Sequence, residues 1–253
     1  MERVGLLVLE LDLSGLEFSN SSVILEFMET SFKLSPSDLT FLWDECPRCF
    51  YLKVVLKFNR PWSPFPKIFN RIDKLMKDYF EGKSNTYISS NLPDGHVMCG
   101  EKWVTSRTIS LPNHRRTCYI KGKFDTLVKF DDSTYGIIDF KTSEAKQEHV
   151  AFYSRQLHAY AYALEHPAPG SLALSPVTKL GLLCVEPTSM DQLHDQKIAY
   201  IGDVTWLDCP KDEQGFLTFL DEVLTVLERP APPAPAPKCR YCTYREAARS
   251  NNL

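Results

Sequence analysis

Two acids and a lysine in the middle of the chain have the types and spacing to hold a divalent cation. Asp125 lies in one β-prone run, and Asp139 and Lys141 lie in the next. Successive side chains on a strand alternate faces, so Asp139 and Lys141 share a face with Ile137, and Asp125 shares one with Lys121, Lys123 and Lys129. With the turn centred near Asp132, the hairpin register sets Asp125 opposite Asp139. Like charges directly opposite on a sheet destabilise it. The pair therefore needs a cation between them, either a lysine or a metal. Two carboxylates, with waters and a substrate phosphate completing the shell, suit Mg²⁺ or Mn²⁺. Asp-x-Lys by itself is a common triplet and reads equally as a surface strand pair, and a one-residue slip of register would separate the acids.

A second constellation is made of sulfur. Cys46/Cys49 and Cys239/Cys242 are two C-x-x-C pairs. Four thiolates fill a tetrahedral zinc site or hold an iron–sulfur cluster. The pairs stand far apart in sequence, so such a site would clamp the chain ends around the core. No thioredoxin-like context surrounds either pair. Cys99, Cys118, Cys184 and Cys209 are read as structural; Cys118 and Cys184 sit in apolar strand contexts, where a free thiol behaves as a small hydrophobe. The histidines show no ligand spacing, and His158 is expected to pack or cap.

The elements that must position these groups are legible in part. Residues 1–33 hold two β-prone runs, Val4–Leu13 and Ser22–Phe32, whose role is not evident. Ser35-Pro36-Ser37-Asp38 is a helix start signal, and the helix should run through Leu39, Leu42 and Trp43 into Cys46-Pro47-Arg48-Cys49. After the Pro-rich turn at Pro61–Pro66, Ile68, Ile72, Leu75, Met76 and Tyr79 predict a second helix, with these residues at helical spacing on one face. Residues 82–116 read as loop and irregular structure. Apolar residues at even positions from 120 to 130 predict a half-buried strand, Asp131–Thr134 a turn, and Tyr135–Thr142 a second strand. A helix follows over 148–165, then strands at 180–185 and 198–207, and a helix over 213–227 burying Phe216, Leu220, Val223 and Leu227. Pro230–Pro237 alternates Pro and Ala as a stiff spacer. The expected class is α/β with mixed strand order, and the expected division is an extension (1–33), a core domain (34–229), and a spacer with the second cysteine pair (230–253).

Gln156 and Tyr160, four apart, share one face of the helix that follows the hairpin. Gly122-Lys123-Phe124-Asp125, Ile138-Asp139-Phe140-Lys141-Thr142 and Gln156-Leu157-His158-Ala159-Tyr160 together resemble the motifs of the PD-(D/E)XK nuclease superfamily on its RecB-like branch. Those motifs read G-x-x-D, a hydrophobic residue before D-x-K-T, and Q-L-x-x-Y. The resemblance covers about Ser35 to the C-terminus. It implies a restriction-endonuclease-like core with a mixed central sheet flanked by helices, and divalent-metal-dependent hydrolysis of nucleic acid, of DNA above all. It also implies roles: Asp125 and Asp139 as metal ligands, Lys141 to position or activate the attacking water, Gln156 and Tyr160 to orient the site. Many relatives carry a metal-binding His on the early helix. This chain has Asn70-Arg71-Ile72-Asp73 there, so Asp73 is the stand-in. Some relatives bind a 4Fe-4S cluster with one N-terminal and three C-terminal cysteines. The arrangement here is two plus two, with Ala248 about where a third would fall, which leaves Zn²⁺ open beside the cluster.

Composition narrows the field. The 253 residues are 43% hydrophobic and 24% charged, an ordinary globular balance. Net charge is −3, so any electropositive surface for nucleic acid must be local. No run approaches a membrane span and no secretory leader is evident, so the expected setting is a reducing cytoplasm, where paired cysteines point to a metal before a disulfide. Two other readings fit the same residues: a catalytically silent module of this fold that only binds DNA ends, and a zinc-clamped interaction protein whose acids and lysine are surface charges.

Overall fold

The computed structural model describes residues 31–251. Of the two runs in the N-terminal extension, Val4–Leu13 and most of Ser22–Phe32 lie outside the described residues. The strands are β1 (Ser31–Leu34), β2 (Gly95–Thr105), β3 (Thr117–Phe130), β4 (Tyr135–Lys141), β5 (Val177–His194) and β6 (Lys197–Cys209). A π-helical turn, Asp38–Leu42, leads into the helices α1 (Trp43–Glu45), α2 (Pro47–Val54), α3 (Lys67–Phe80), α4 (Gln147–Glu165), α5 (Glu213–Leu227) and α6 (Arg240–Ser250).

Among the described residues the strands form one six-stranded mixed sheet in the order β1-β3-β4-β5-β6, with β2 also paired to β3. β1 with β3 and β4 with β5 are parallel, and the remaining pairs are antiparallel. Parallel neighbours need a crossover connection, and α4 supplies it between β4 and β5. Helices cover both faces. On one, Leu157, Ala161 and Leu164 of α4 and Phe216, Leu220 and Val223 of α5 pack with Ile120, Phe124, Ile137 and Leu182. On the other, Met76 and Phe80 of α3 pack with Val97, Val128, Ile138 and Phe140, the Phe80 and Phe140 rings stacked 5.6 Å apart. Burial on both faces explains why β4 is apolar without alternation. No helix of the described residues is long and apolar enough to cross a membrane.

Local chemistry sets the element ends. Cys46 is extended (φ −166°) because the residue before a proline avoids the helical region, and Pro47 then opens α2. Asp212 caps α5 by accepting from the Gly215 amide at 2.8 Å, and its own amide donates to His158 Nε2 at 2.8 Å, so the histidine packs and caps as expected.

Two expectations need correction. The stretch 82–116 contains an eleven-residue strand, β2, rather than loop alone. A bulge between Cys99 and Lys102 shifts its register against β3 and destroys the apolar alternation that would have announced it. The other concerns β5, which runs from Val177 to His194, well beyond the apolar run at 180–185, and pairs along the length of β6, whose bounds lie close to the expected 198–207. Helix α3 forms where its apolar spacing placed it; it buries Met76 and Phe80, while Ile68, Leu75 and Tyr79 of the same stripe stay exposed.

Candidate active site and sulfur centre

The hairpin register is the one expected: Thr126 pairs with Ile138, Leu127 with Ile137 and Val128 with Gly136, which carries Asp125 toward Asp139 where β3 and β4 part. Asp139 is buried, at 5% exposure. Lys141 Nζ lies 2.6 Å from Asp139 Oδ2 and 3.7 Å from the centre of the Tyr153 ring. That approach is an ion pair, and Gln156 Oε1 is a buried oxygen with no hydrogen-bond partner among the described residues. Burial raises the Asp125 pKa, and the nearby charges of Asp139 and Asp73 add to the rise against the pull of Lys77. Burial, then the Asp139 and Asp125 charges, raise that of Tyr160 too. The two carboxylates and the Gln156–Tyr160 turn thus share one neighbourhood.

Tyr160 donates from its hydroxyl to the Lys123 carbonyl at 2.8 Å, pinning β3 two residues before Asp125. The glycine of the first motif has a steric reason. A Cβ on Gly122 would stand 2.6 Å from Pro36 Cδ and 3.1 Å from Tyr160 Cε1, so any side chain there would push apart the strand, the helix and the segment entering the π-helical turn.

Asp73 also arrives at the site. It pairs at 2.7 Å with Lys77, one turn along α3, and the same ammonium reaches Asp125 at 3.0 Å and Glu101 at 3.2 Å. Glu101 in turn pairs with Lys123. Burial disfavours the Lys77 charge, but Asp73 and Asp125 outweigh it and raise its pKa. Sequence reasoning missed Lys77 and Glu101. The i, i+4 spacing of Asp73 and Lys77 was a usable signal for the first; nothing local announced the second, which depends on the β2 bulge. Arg155, next to Gln156 on α4, pairs with Asp44 and lies 4.3 Å from the centre of the Phe219 ring. A cleft of about 400 Å³ opens beside Asp73 and Lys141, walled by Phe65, Phe69, Phe140 and Tyr153. Asp73, Glu101, Asp125 and Asp139 face Lys77, Lys123 and Lys141 in this network, a surplus of one negative charge that favours a cation.

The four cysteines of the two C-x-x-C pairs meet. Their sulfurs lie within 4.8 Å of one another and all four residues are buried. Cys46–Cys242, Cys49–Cys239 and Cys49–Cys242 separations are 3.8, 3.7 and 3.6 Å. Burial alone would raise the Cys46 thiol, but backbone amides of Ala236 and Cys49 bring its pKa down to about 7. Two guanidiniums face the sulfurs: Arg60 donates to Cys239 at 3.5 Å and Arg245 to Cys242 at 3.7 Å. Arg48 donates to the Pro233 carbonyl at 3.1 Å, fastening the Pro-Ala spacer to α2. Cys118, Cys184 and Cys209 are buried apart from this centre; burial pushes Cys118 up to about 12, as befits a structural thiol. The Cys99 side chain lies outside the described residues.

A family model described as the PD-(D/E)XK nuclease superfamily matches residues 80–247, a span that includes Asp125, Asp139, Lys141, Gln156, Tyr160 and the second cysteine pair. No curated protein matches the chain. Among solved structures, the crystal structure of SSO0001 is similar at 15% identity, over 88% of this chain and 89% of that one, with a TM-score of 0.48.

Proposed function

The chain belongs to the PD-(D/E)XK nuclease superfamily, and from that premise we propose that it is a divalent-metal-dependent nuclease of the RecB-like type that hydrolyses phosphodiester bonds in DNA. The observation that carries this reading is the convergence of the Asp125, Asp139 and Asp73 carboxylates with the Lys141 ammonium, 2.6 Å from Asp139, beside the buried Gln156 Oε1, which has no hydrogen-bond partner among the described residues. An unsatisfied buried polar group costs about 1–3 kcal/mol, and a hard cation with oxygen ligands removes that cost. Asp125 and Asp139 are the ligands in this reading, with Asp73 reaching in from α3. Bound there, Mg²⁺ or Mn²⁺ supplies Lewis acidity and an acidified water. The remaining work falls to the protein. The Lys141 ammonium, held between Asp139 and the Tyr153 ring, positions the attacking water and offsets charge developing on the phosphate. Gln156 orients the carboxylates, and Tyr160 fixes the strand that carries Asp125.

The test is a panel of DNA strands labelled at either end. Incubation with Mg²⁺ or Mn²⁺ should shorten linear strands from an end and leave a covalently closed circle intact, and EDTA should stop the reaction. Binding of strand ends without any cleavage, under both ions, would instead identify the silent end-binding module.

At the sulfur centre the geometry favours a single ion. A tetrahedral site with zinc–sulfur bonds of about 2.3 Å has sulfurs about 3.8 Å apart; three of the six separations are 3.6–3.8 Å and all lie within 4.8 Å. In a four-iron cluster each thiolate binds a different iron and the sulfurs stand further apart. Protein purified without oxygen is therefore expected to be colourless and to carry one zinc per chain by elemental analysis. A brown preparation with four irons would show that the centre expands to take the cluster.

A further inference from the structure

Next to the acid network, on the same outer stretch of sheet, is a basic and aromatic surface that the proposed chemistry does not use. Register places Lys33 of β1 beside Tyr119, Thr105 of β2 beside Lys121, and Trp103 beside Lys123. Cross-strand partners share a face. Lys33, Lys121 and Trp103 are exposed there, the indole at 65%. Lys33 and Lys121 have no ion-pair partner among the described residues. Together they border an open concavity of about 680 Å³ whose far wall is the loop at Ala168–Ser171. That wall is built, not incidental: Ala168 donates to the Thr105 carbonyl at 2.9 Å, and the Thr105 amide donates to Ser171 Oγ at 2.9 Å.

We propose that this surface is the track along which an unpaired DNA strand approaches the acid site, with phosphates on Lys33 and Lys121 and a base stacked on Trp103. The inference rests on the nuclease reading above. Three observations carry it. First, the surface is continuous with the site: Lys123 pairs with Glu101, Glu101 with Lys77, and Lys77 with Asp125. Lys121 and Asp125 are four residues apart on one strand, about 13 Å at 3.3 Å per residue, a span that one strand can bridge. Second, the charge is complementary to a polyanion on a chain whose net charge is −3, so unpaired lysines side by side are local rather than general. Third, an exposed indole among lysines fits single strands specifically. Aromatic platforms take base faces, which only an unpaired strand offers, while lysines follow the backbone.

Binding of a fluorescein-labelled unpaired DNA strand, followed by anisotropy in EDTA, separates this inference from the catalytic one. Trp103→Ala should weaken binding about ten-fold and Trp103→Phe less than about two-fold, because a phenyl ring keeps the stacking surface. The Lys33→Ala/Lys121→Ala double variant should lower the slope of log affinity against log salt by about 1.4, the share of two phosphate contacts on a single strand. Trp103→Ala should leave binding of the matching duplex unchanged while raising KM for the unpaired strand. Wild-type protein that binds or cleaves DNA while Trp103→Ala and the double lysine variant match it in affinity and KM would overturn the track and leave the nuclease reading standing. Loss of duplex binding equal to that of the single strand in Trp103→Ala would overturn stacking, and tighter binding of an RNA strand would overturn the choice of DNA. Wild-type protein that neither binds nor cleaves overturns the nuclease reading, and the track with it.

Discussion

Asp139→Ala is expected to lower the rate of DNA cleavage by at least about a thousand-fold, equivalent to about 4 kcal/mol of transition-state stabilisation, with circular dichroism and thermal unfolding close to wild type. The carboxylate removed is the most buried of the acids at the site, and its Oδ2 is the atom that approaches Lys141. Its loss takes away a metal ligand and also releases the ammonium that the mechanism needs in one place. Lys141→Ala should be as damaging. Lys141→Arg should not rescue it, since a planar guanidinium cannot occupy the space between Asp139 and the Tyr153 ring that a compact ammonium fills at 2.6 and 3.7 Å. Substantial activity in Lys141→Arg would mean that only charge matters at this position; full activity in Asp139→Ala would remove the acid pair from the mechanism altogether.

The second large effect concerns stability. Cys239→Ser should lower the unfolding free energy by about 5 kcal/mol, the chain-entropy value of a tie that closes a loop of this length, since Cys49 and Cys239 are 190 residues apart. For a domain of this size that corresponds to a fall in Tm of about 10–20 °C. Bound metal should be lost in parallel. The sulfurs sit among α2, the Pro-Ala spacer and α6, whereas the acids sit on β3 and β4, so cleavage measured well below the lowered Tm should survive. An unchanged Tm with full metal content would show that the remaining three cysteines suffice and that the clamp stabilises little.

Much of the site was legible because its determinants are local. The turn at Asp131–Thr134 sets the register of β3 on β4, and alternating apolar residues mark which strand faces are buried, so the approach of Asp125 to Asp139 follows from a short stretch of sequence. Helix α5 was legible from the spacing of Phe216, Leu220, Val223 and Leu227. Each cysteine pair was visible as a pair, though only folding brings the two together. What was not legible depends on contacts between distant segments. Glu101 reaches Lys77 because β2 bulges between Cys99 and Lys102, and a bulge has no apolar signature. The exposed Ile68, Leu75 and Tyr79 imitate a buried stripe, because periodicity records apolar spacing and not what covers it. The role of Gly122 is likewise hidden, since the Pro36 and Tyr160 that crowd it come from elsewhere in the chain.

Direct titration of Mn²⁺ into the wild type, Asp125→Asn and Asp139→Asn, followed by calorimetry, tests the central claim that these acids form a divalent-cation site. The sulfur centre does not interfere, because soft thiolates discriminate against Mn²⁺. The account predicts one Mn²⁺ per wild-type chain and loss of that binding in both variants, with all three proteins folded. Equal Mn²⁺ binding in all three, or none in the wild type, would contradict it.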